Sequence, residues 1–269
     1  MKVTAGAGSS TYFGDLCETG DCLTARPQAS LGFNFRFTGK FTVRGEVSYY
    51  RLANKDFGGK NQNRNLSFRS GNIELYGAAV YEFLPYNKFF QRRPFFNPYV
   101  FAGLGLTFFN PRAKLNDEWY TLAKYDTENV NYNQAVPIIP FGGGLQMAIS
   151  PVVDISIEVA YRKTFTDYLD DVSTVYADNA AIRARSPIGA DLADRTHELF
   201  KPTYDAADGM HWNAGHKRGN PDKKDGYLMA SIKMEYTLNP LVKTQRRNLK
   251  FKRPRFSKGS SSSGRRKKR

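Results

Sequence analysis

The sequence predicts an all-β chain: an eight-stranded antiparallel transmembrane barrel with long external loops, followed by a basic tail. Three observations predict it. Apolar residues recur with period two over stretches of about ten residues, the length a tilted strand needs to cross a bilayer. Long and short connections alternate between those stretches. The composition combines 20 Phe, 16 Tyr and 23 Gly with a mean hydropathy of −0.55. No apolar run approaches the ~18 residues of a membrane-crossing helix, which excludes helical spans but not strands.

The strands follow in chain order. The first, from Lys2 to about Phe13, has the weakest pattern. In the second, Leu31, Phe33, Phe35 and Phe37 alternate with Gly32, Asn34, Arg36 and Thr38. In the third, Phe41, Val43, Gly45, Val47 and Tyr49 alternate with Thr42, Arg44, Glu46 and Ser48. The fourth runs over 73–83, with Glu74 and Glu82 on its polar side. Stretches 100–109 and 138–149 are Gly-rich and less decisive. The seventh sets Val153, Ile155, Ile157, Val159 and Tyr161 against Asp154, Ser156, Glu158, Ala160 and Arg162. The eighth sets Leu228, Ala230, Ile232, Met234, Tyr236 and Leu238 against Met229, Ser231, Lys233, Glu235 and Thr237.

Connections of one class are Gly39-Lys40, the 85–97 segment and Ser150-Pro151; those of the other are about 14–28, 53–71, 110–135 and 166–225. Short periplasmic turns and long external loops are the rule of outer-membrane barrels, and an even strand number places both termini in the periplasm. A soluble sandwich would also alternate, but its polar face would look at water and be rich in Lys, Thr and Glu. Here that face mixes Gly, Ala, Ser, Tyr and charges of both signs, which suits a crowded lumen. No secretory signal is visible after Met1; the strand pattern favours numbering from at or near a mature N-terminus.

The barrel is expected over 1–238 and the tail over 239–269. The net charge is +15, and from Lys243 onward the chain carries 13 Lys and Arg with no acid. The remainder is therefore close to neutral, which argues against a nucleic-acid-binding domain, whose charge would sit on a folded face. With Pro240, Pro254 and a Ser run, the tail has no means of burying a core.

Four stretches carry a resemblance. They are Ser10-Thr11-Tyr12-Phe13-Gly14-Asp15-Leu16; Arg64-Asn65-Leu66-Ser67-Phe68-Arg69-Ser70, leading into Ile73-Glu74-Leu75; Asn97-Pro98-Tyr99-Val100-Phe101-Ala102-Gly103-Leu104-Gly105, closed by Phe109-Asn110-Pro111; and Thr164-Phe165-Thr166-Asp167-Tyr168-Leu169-Asp170-Asp171-Val172-Ser173-Thr174. Across roughly 10–174 the chain resembles the PorG family, the outer-membrane barrel component of the Bacteroidetes type IX secretion system. The resemblance implies a non-enzymatic role, tying the periplasmic ring of the lipoprotein PorK and its partner PorN to the outer membrane. Outer-membrane lipid and other outer-membrane proteins of the secretion system are further expected partners. A small outer-membrane enzyme or transporter is the alternative.

Candidate residues fall into three groups. Cys17 and Cys22, in the first external loop, could close a disulfide in an oxidising compartment. Arg36, Arg44, Glu46, Glu74, Glu82, Asp154, Glu158, Arg162, Lys233 and Glu235 point inward by alternation. Buried charges must be paired, and eight strands leave an interior just filled by side chains, so ion pairs plugging the lumen are expected rather than a pore. The docking surface is expected from the periplasmic turn (Lys88, Arg92, Arg93, with Phe89, Phe90, Phe95 and Phe96) and the tail (Lys243, Arg246, Arg247, Lys250, Phe251, Lys252, Arg253, Arg255, Phe256). Arg and aromatic side chains are the types enriched at binding hot spots.

No cofactor, metal or nucleic acid is expected. His197, His211 and His216 read as exposed loop residues, in no zinc spacing. Asp167, Asp170 and Asp171 lack the calcium-loop Gly and distal Glu; Thr166-Asp167 reads as the start of a short helix. Gly103-Leu104-Gly105 and Gly142-Gly143-Gly144 lie inside strand pattern, not in a phosphate loop.

Overall fold

The structure, a computed structural model, describes residues 1–17, 24–56, 61–87, 89–199 and 212–238. The basic tail, Lys88 and Cys22 lie outside the described residues. Eight long strands form the wall: β1 (Lys2–Phe13), β2 (Arg26–Arg36), β3 (Phe41–Lys55), β4 (Ser67–Glu82), β5 (Phe96–Phe108), β8 (Ala135–Ala148), β9 (Val153–Thr164) and β10 (Gly226–Thr237). Each pairs antiparallel with its chain neighbour, and β1 pairs with β10, which closes the ring. A small hairpin, β6 (Pro111–Leu115) and β7 (Glu118–Thr121), hangs from the upper end of β4 through Arg69↔Arg112 and Ser70↔Pro111.

The register fixes the shape. Stepping between paired residues leads from Leu145 through Ile157, Ile232, Ala7, Ala29, Tyr49, Ile73 and Phe108 back to β8 at Ala135. The path returns ten positions from where it began (145 − 135). Strands so staggered tilt by roughly 35–45° and enclose a lumen that side chains can fill. Between β5 and β8 the register passes from Ala102↔Phe141 to Gly105↔Ile138 around Pro140, which has no N–H to give a ladder. This is the stretch whose alternation is least regular in the sequence.

Alternation decides which surface is apolar, and the apolar surface is outside. Leu31, Leu104 and Ile232 are 67%, 72% and 62% exposed, and Phe35, Val43, Leu75, Val100, Ile157 and Met234 accompany them. Returning one such side chain to water costs about 1.5–3 kcal/mol relative to burial. A continuous band of them around a closed barrel is stable only against hydrocarbon. The protein is thus a closed eight-stranded barrel of the outer-membrane type, and no helix among the described residues is long and apolar enough to cross a membrane.

Two expectations about the long loops are corrected. The 110–135 segment is not all loop, because Asn116 and Asp117 both adopt positive φ (48° and 69°). Two such residues make the tight turn that matches strand twist, and so the β6–β7 hairpin forms. No helix begins at Thr166-Asp167. The helices lie further on, α1 (Asn179–Arg185) and α2 (Pro187–Ala193), capped by the side chains of Asp178 on Ala180 N and Ser186 on Gly189 N. Thr166 instead accepts a hydrogen bond from Tyr168 N within a turn.

A barrel of this kind stays folded in detergent until heated. Unheated and boiled samples should therefore migrate differently on gels, with a strand-rich, helix-poor far-UV spectrum; a predominantly helical spectrum contradicts the fold.

Candidate functional site

The lumen comes first. All ten inward charges expected from alternation are placed inside the wall, Arg36 being the least buried. Three levels of pairing run along the axis. At the short-turn end Arg36 meets Glu82 at 2.5 Å, and Lys2 meets both Asp154 (2.6 Å) and Glu235 (2.9 Å). At mid-height Glu158 accepts from Arg44 (2.5 Å), Lys233 (2.7 Å) and Tyr99 Oη (2.7 Å), and Lys233 also reaches Glu46 at 2.7 Å. Above them Arg162 pairs with Glu74 at 3.1 Å, and Glu74 accepts from Tyr227 at 2.7 Å.

Geometry makes these pairs a plug. In the ring order β3 and β9 are four places apart, diametrically opposite, so Arg44–Glu158 crosses the full diameter. Glycines make room for it: a side chain on Gly144 would strike the Tyr99 ring, and one on Gly105 would strike Tyr76. Lys2 is the member that alternation missed. Its strand carries Gly, Ala, Ser and Thr on both faces and so gives little apolar contrast.

The long-loop end is closed by a second, mixed core. Tyr12, Leu16, Tyr50, Leu52, Leu66, Phe68, Phe109, Leu115, Leu122, Leu169, Val172, Leu192 and Tyr227 form one apolar cluster drawn from strand ends and loops. Charges lock it. Arg218 in the fourth loop pairs with Glu128 in the third at 2.8 Å. Glu128 also accepts from Ser173 N, Thr174 N and Thr174 Oγ1. Arg64, from the second loop, donates to Asp56, to Asp15 O and to Arg218 O. Asn220 N donates to Asp15 in the first loop at 2.6 Å. All four long loops are therefore tied to one another.

Beneath this cap lie buried carboxyls. Tyr12 Oη is 2.6 Å from Asp170 and 2.8 Å from Asp225. A hydroxyl donates one proton, so the second contact requires a protonated carboxyl. Burial holds both acids well above the ordinary carboxylate range, and each is aggravated by a neighbouring Asp. Asp167, with both oxygens buried, is pushed up to about 7 by burial, with Asp15 and Glu128 acting the same way against the Ser173 hydroxyl and Lys224. Asp171 is pushed up to about 6 by burial, although Arg218, Thr127 and Tyr132 oppose it. Burial alone would raise Glu128, but Arg218 and the Ser173 amide hold it below the usual value.

Asp170 is engaged by Tyr12, and Asp171 by Thr127 and Tyr132; the described residues contain no group of three His, Cys, Asp or Glu placed to hold a metal ion. His216 is exposed. Cys17 is disulfide-bonded.

At the short-turn end the expected docking residues divide. Arg92 is exposed, its guanidinium 5.8 Å from the Phe89 ring. Arg93 is half-buried and committed: it donates to Asn87 O (2.9 Å) and Pro151 O (3.4 Å), and stacks 4.3 Å from the Tyr86 ring, on which Arg36 also stacks at 4.1 Å. Arg93 shapes the turn rather than offering a free charge. Phe89, Phe95 and Phe96 are exposed beside it. This turn touches the 149–152 turn, whose Val152 O accepts from Thr237 N at the end of β10. A recess of about 170 Å³ opens here, lined by Lys2, Arg36, Glu82, Tyr86, Arg93 and Glu235 among others.

Comparison with known proteins gives a family without an assigned role. A family model described as "Domain of unknown function (DUF6089)" matches residues 2–184. Among solved structures, Neisserial surface protein A is similar at 12% identity and a TM-score of 0.40, over 87% of this chain and 95% of that one. The N-terminal β-barrel domain of Pseudomonas aeruginosa OprF is similar at 10% identity and a TM-score of 0.39, over 87% and 96%. Ail of Yersinia pestis is similar at 11% identity and a TM-score of 0.39, over 87% and 97%. No curated protein sequence matches this chain.

Two outcomes are expected. Glu158→Gln leaves Arg44 and Lys233 short of a charge in the lumen, and should cost about 3 kcal/mol in urea unfolding of the detergent-solubilised protein. The second concerns pH. An acid whose folded pKa is raised keeps its proton between about pH 4 and 7 while the unfolded chain loses it, so stability falls as pH rises through that window. Asp167→Asn should therefore raise the thermal midpoint at pH 8 and narrow the difference between pH 5 and pH 8; an unchanged pH dependence would show that Asp167 does not titrate in that range.

Proposed function

The chain belongs to the family described as domain of unknown function DUF6089, and on that premise we propose that it is a structural component of the type IX protein secretion machinery. In this reading the barrel sits in the outer membrane with both termini in the periplasm and anchors the ring of PorK and PorN. The role is non-enzymatic. Outer-membrane lipid surrounds the wall, and other outer-membrane proteins of the system are further candidate neighbours.

The observation that carries the reading is the short-turn end. The lumen is plugged by paired charges, which favours a fixed anchor over a conduit. The exposed Arg92, Phe89, Phe95 and Phe96 stand on the same end as the last strand, linked to it through the 149–152 turn. The tail that follows β10 adds 13 positive charges and no acid. A cationic, aromatic surface recruits an acidic protein face by steering and buries anchors on contact. The family match spans the four sequence stretches on which the resemblance to the PorG family rests.

Deleting residues 245–269 should leave the barrel folded while weakening its co-purification with PorK and PorN by tenfold or more, about 1.4 kcal/mol. Raising salt should weaken the intact complex more than the truncated one. Wild-type recovery of the ring proteins with the truncated chain at all ionic strengths overturns the tail as the dock.

A further inference from the structure

The outward face of the barrel carries a groove at the long-loop end that neither the cap nor the proposed dock uses. It is lined by Tyr49, Arg51, Arg69, Gly71, Arg112 and Trp119, with a volume of about 380 Å³. Strand register builds it. Tyr49 and Arg51 face outward on β3, opposite Ile73 and Gly71 of β4, and Arg69 of β4 is paired with Arg112 of the hairpin. A Cβ on Gly71 would come within 3.0 Å of the Tyr49 hydroxyl, so the missing side chain keeps the floor of the groove clear.

The charge here is unbalanced. Arg51 donates to Tyr49 Oη at 3.2 Å, and the Arg69 guanidinium lies 5.6 Å from the Trp119 ring. Among the described residues no carboxylate forms an ion pair with Arg51, Arg69 or Arg112, while the hairpin's Asp117 is taken by Lys114 at 2.7 Å. Three guanidiniums thus line one groove with no carboxylate paired to them among the described residues.

Towards the middle of the wall the groove changes character. It shares Gly71 and Asn110 with a second recess, of about 830 Å³, lined on the wall by Ile73 and Phe108 of the exposed apolar belt and on the loop side by Asn131, Asn133 and Gln134. The slot is therefore cationic and aromatic at its outer end and runs on to the apolar belt at Ile73 and Phe108, below a polar rim from the third loop. That is the polarity profile of one lipid molecule with an anionic headgroup.

We propose that this slot binds a phosphorylated glycolipid of the outer leaflet, its phosphate held by Arg51, Arg69 and Arg112 and an acyl chain lying along Ile73 and Phe108. Arginine matches phosphate with paired N–H donors, and the Tyr49 and Trp119 rings flank the Arg51 and Arg69 guanidiniums. The choice of leaflet rests on the orientation proposed above. The chemistry of the slot does not, and the binding test below can fail independently of the tail deletion.

The test uses the full-length protein in detergent, with diphosphoryl lipid A, its dephosphorylated form, phosphatidylglycerol and inorganic phosphate as probes, read by thermal shift and native mass spectrometry. Diphosphoryl lipid A should bind at least tenfold more tightly than each of the other three. Arg51→Gln, Arg69→Gln and Arg112→Gln combined should weaken it at least tenfold with heat-modifiable migration retained, and Arg69→Gln alone should weaken it by a smaller factor. Lys163→Gln, an exposed cation on β9, should change nothing. Equal binding of the dephosphorylated lipid, of phosphatidylglycerol or of inorganic phosphate, or wild-type affinity in the triple variant, overturns the proposal.

Discussion

Glu158 is the point on which the interior turns. A barrel with a stagger of ten residues on eight strands has an interior that must be filled, and this chain fills it with ionised groups. Each would be costly alone in a low-dielectric space. Glu158 receives Arg44 from the opposite wall, Lys233 from the neighbouring strand and Tyr99 from β5. Gly144 of β8 exists in relation to that cluster, because the Tyr99 ring that supports it occupies the space a side chain there would take. Apolar wall and ionic interior invert the usual order of a soluble domain, and the inversion forces the chain into a bilayer.

The long-loop end obeys a different rule. There the loops leave the hydrocarbon and build a water-facing domain in miniature, with an apolar cluster, interlocked charges and two capped helices. Its carboxyls fold into apolar surroundings, where burial raises Asp167, Asp170, Asp171 and Asp225 above the ordinary carboxylate range. The lumen carboxylates have cationic partners, whereas Asp170 and Asp225 share the Tyr12 hydroxyl and Asp167 faces Asp15 and Glu128.

Much of this was legible in the sequence, and what was not has a physical cause. Strands β9 and β10 declare themselves because Ile, Val and Met alternate with charges, and the same alternation identifies which charges face inward. Strand β1 is obscure because its residues are small on both faces, and with it Lys2 goes unseen although it pairs with two carboxylates. The β6–β7 hairpin depends on positive φ at Asn116 and Asp117, which no apolar period announces. The cap is invisible for a stronger reason: Glu128 and Arg218 are 90 residues apart, and nothing in the local pattern around either predicts the other. The slot on the outer wall is likewise made by three strands and a hairpin meeting.

The pairing of Lys2 carries a consequence for how such a chain is assembled. Its two carboxylates, Asp154 and Glu235, sit on β9 and β10, the last strands of the barrel. A chain inserted from its first strand onward holds an uncompensated ammonium on that strand. It acquires two uncompensated carboxylates only when its final strands arrive. The ammonium gains both partners when the two ends of the sheet meet and not before. The ring's seam is thus also an electrical latch, and the second residue of the chain reads whether the last strand is in place.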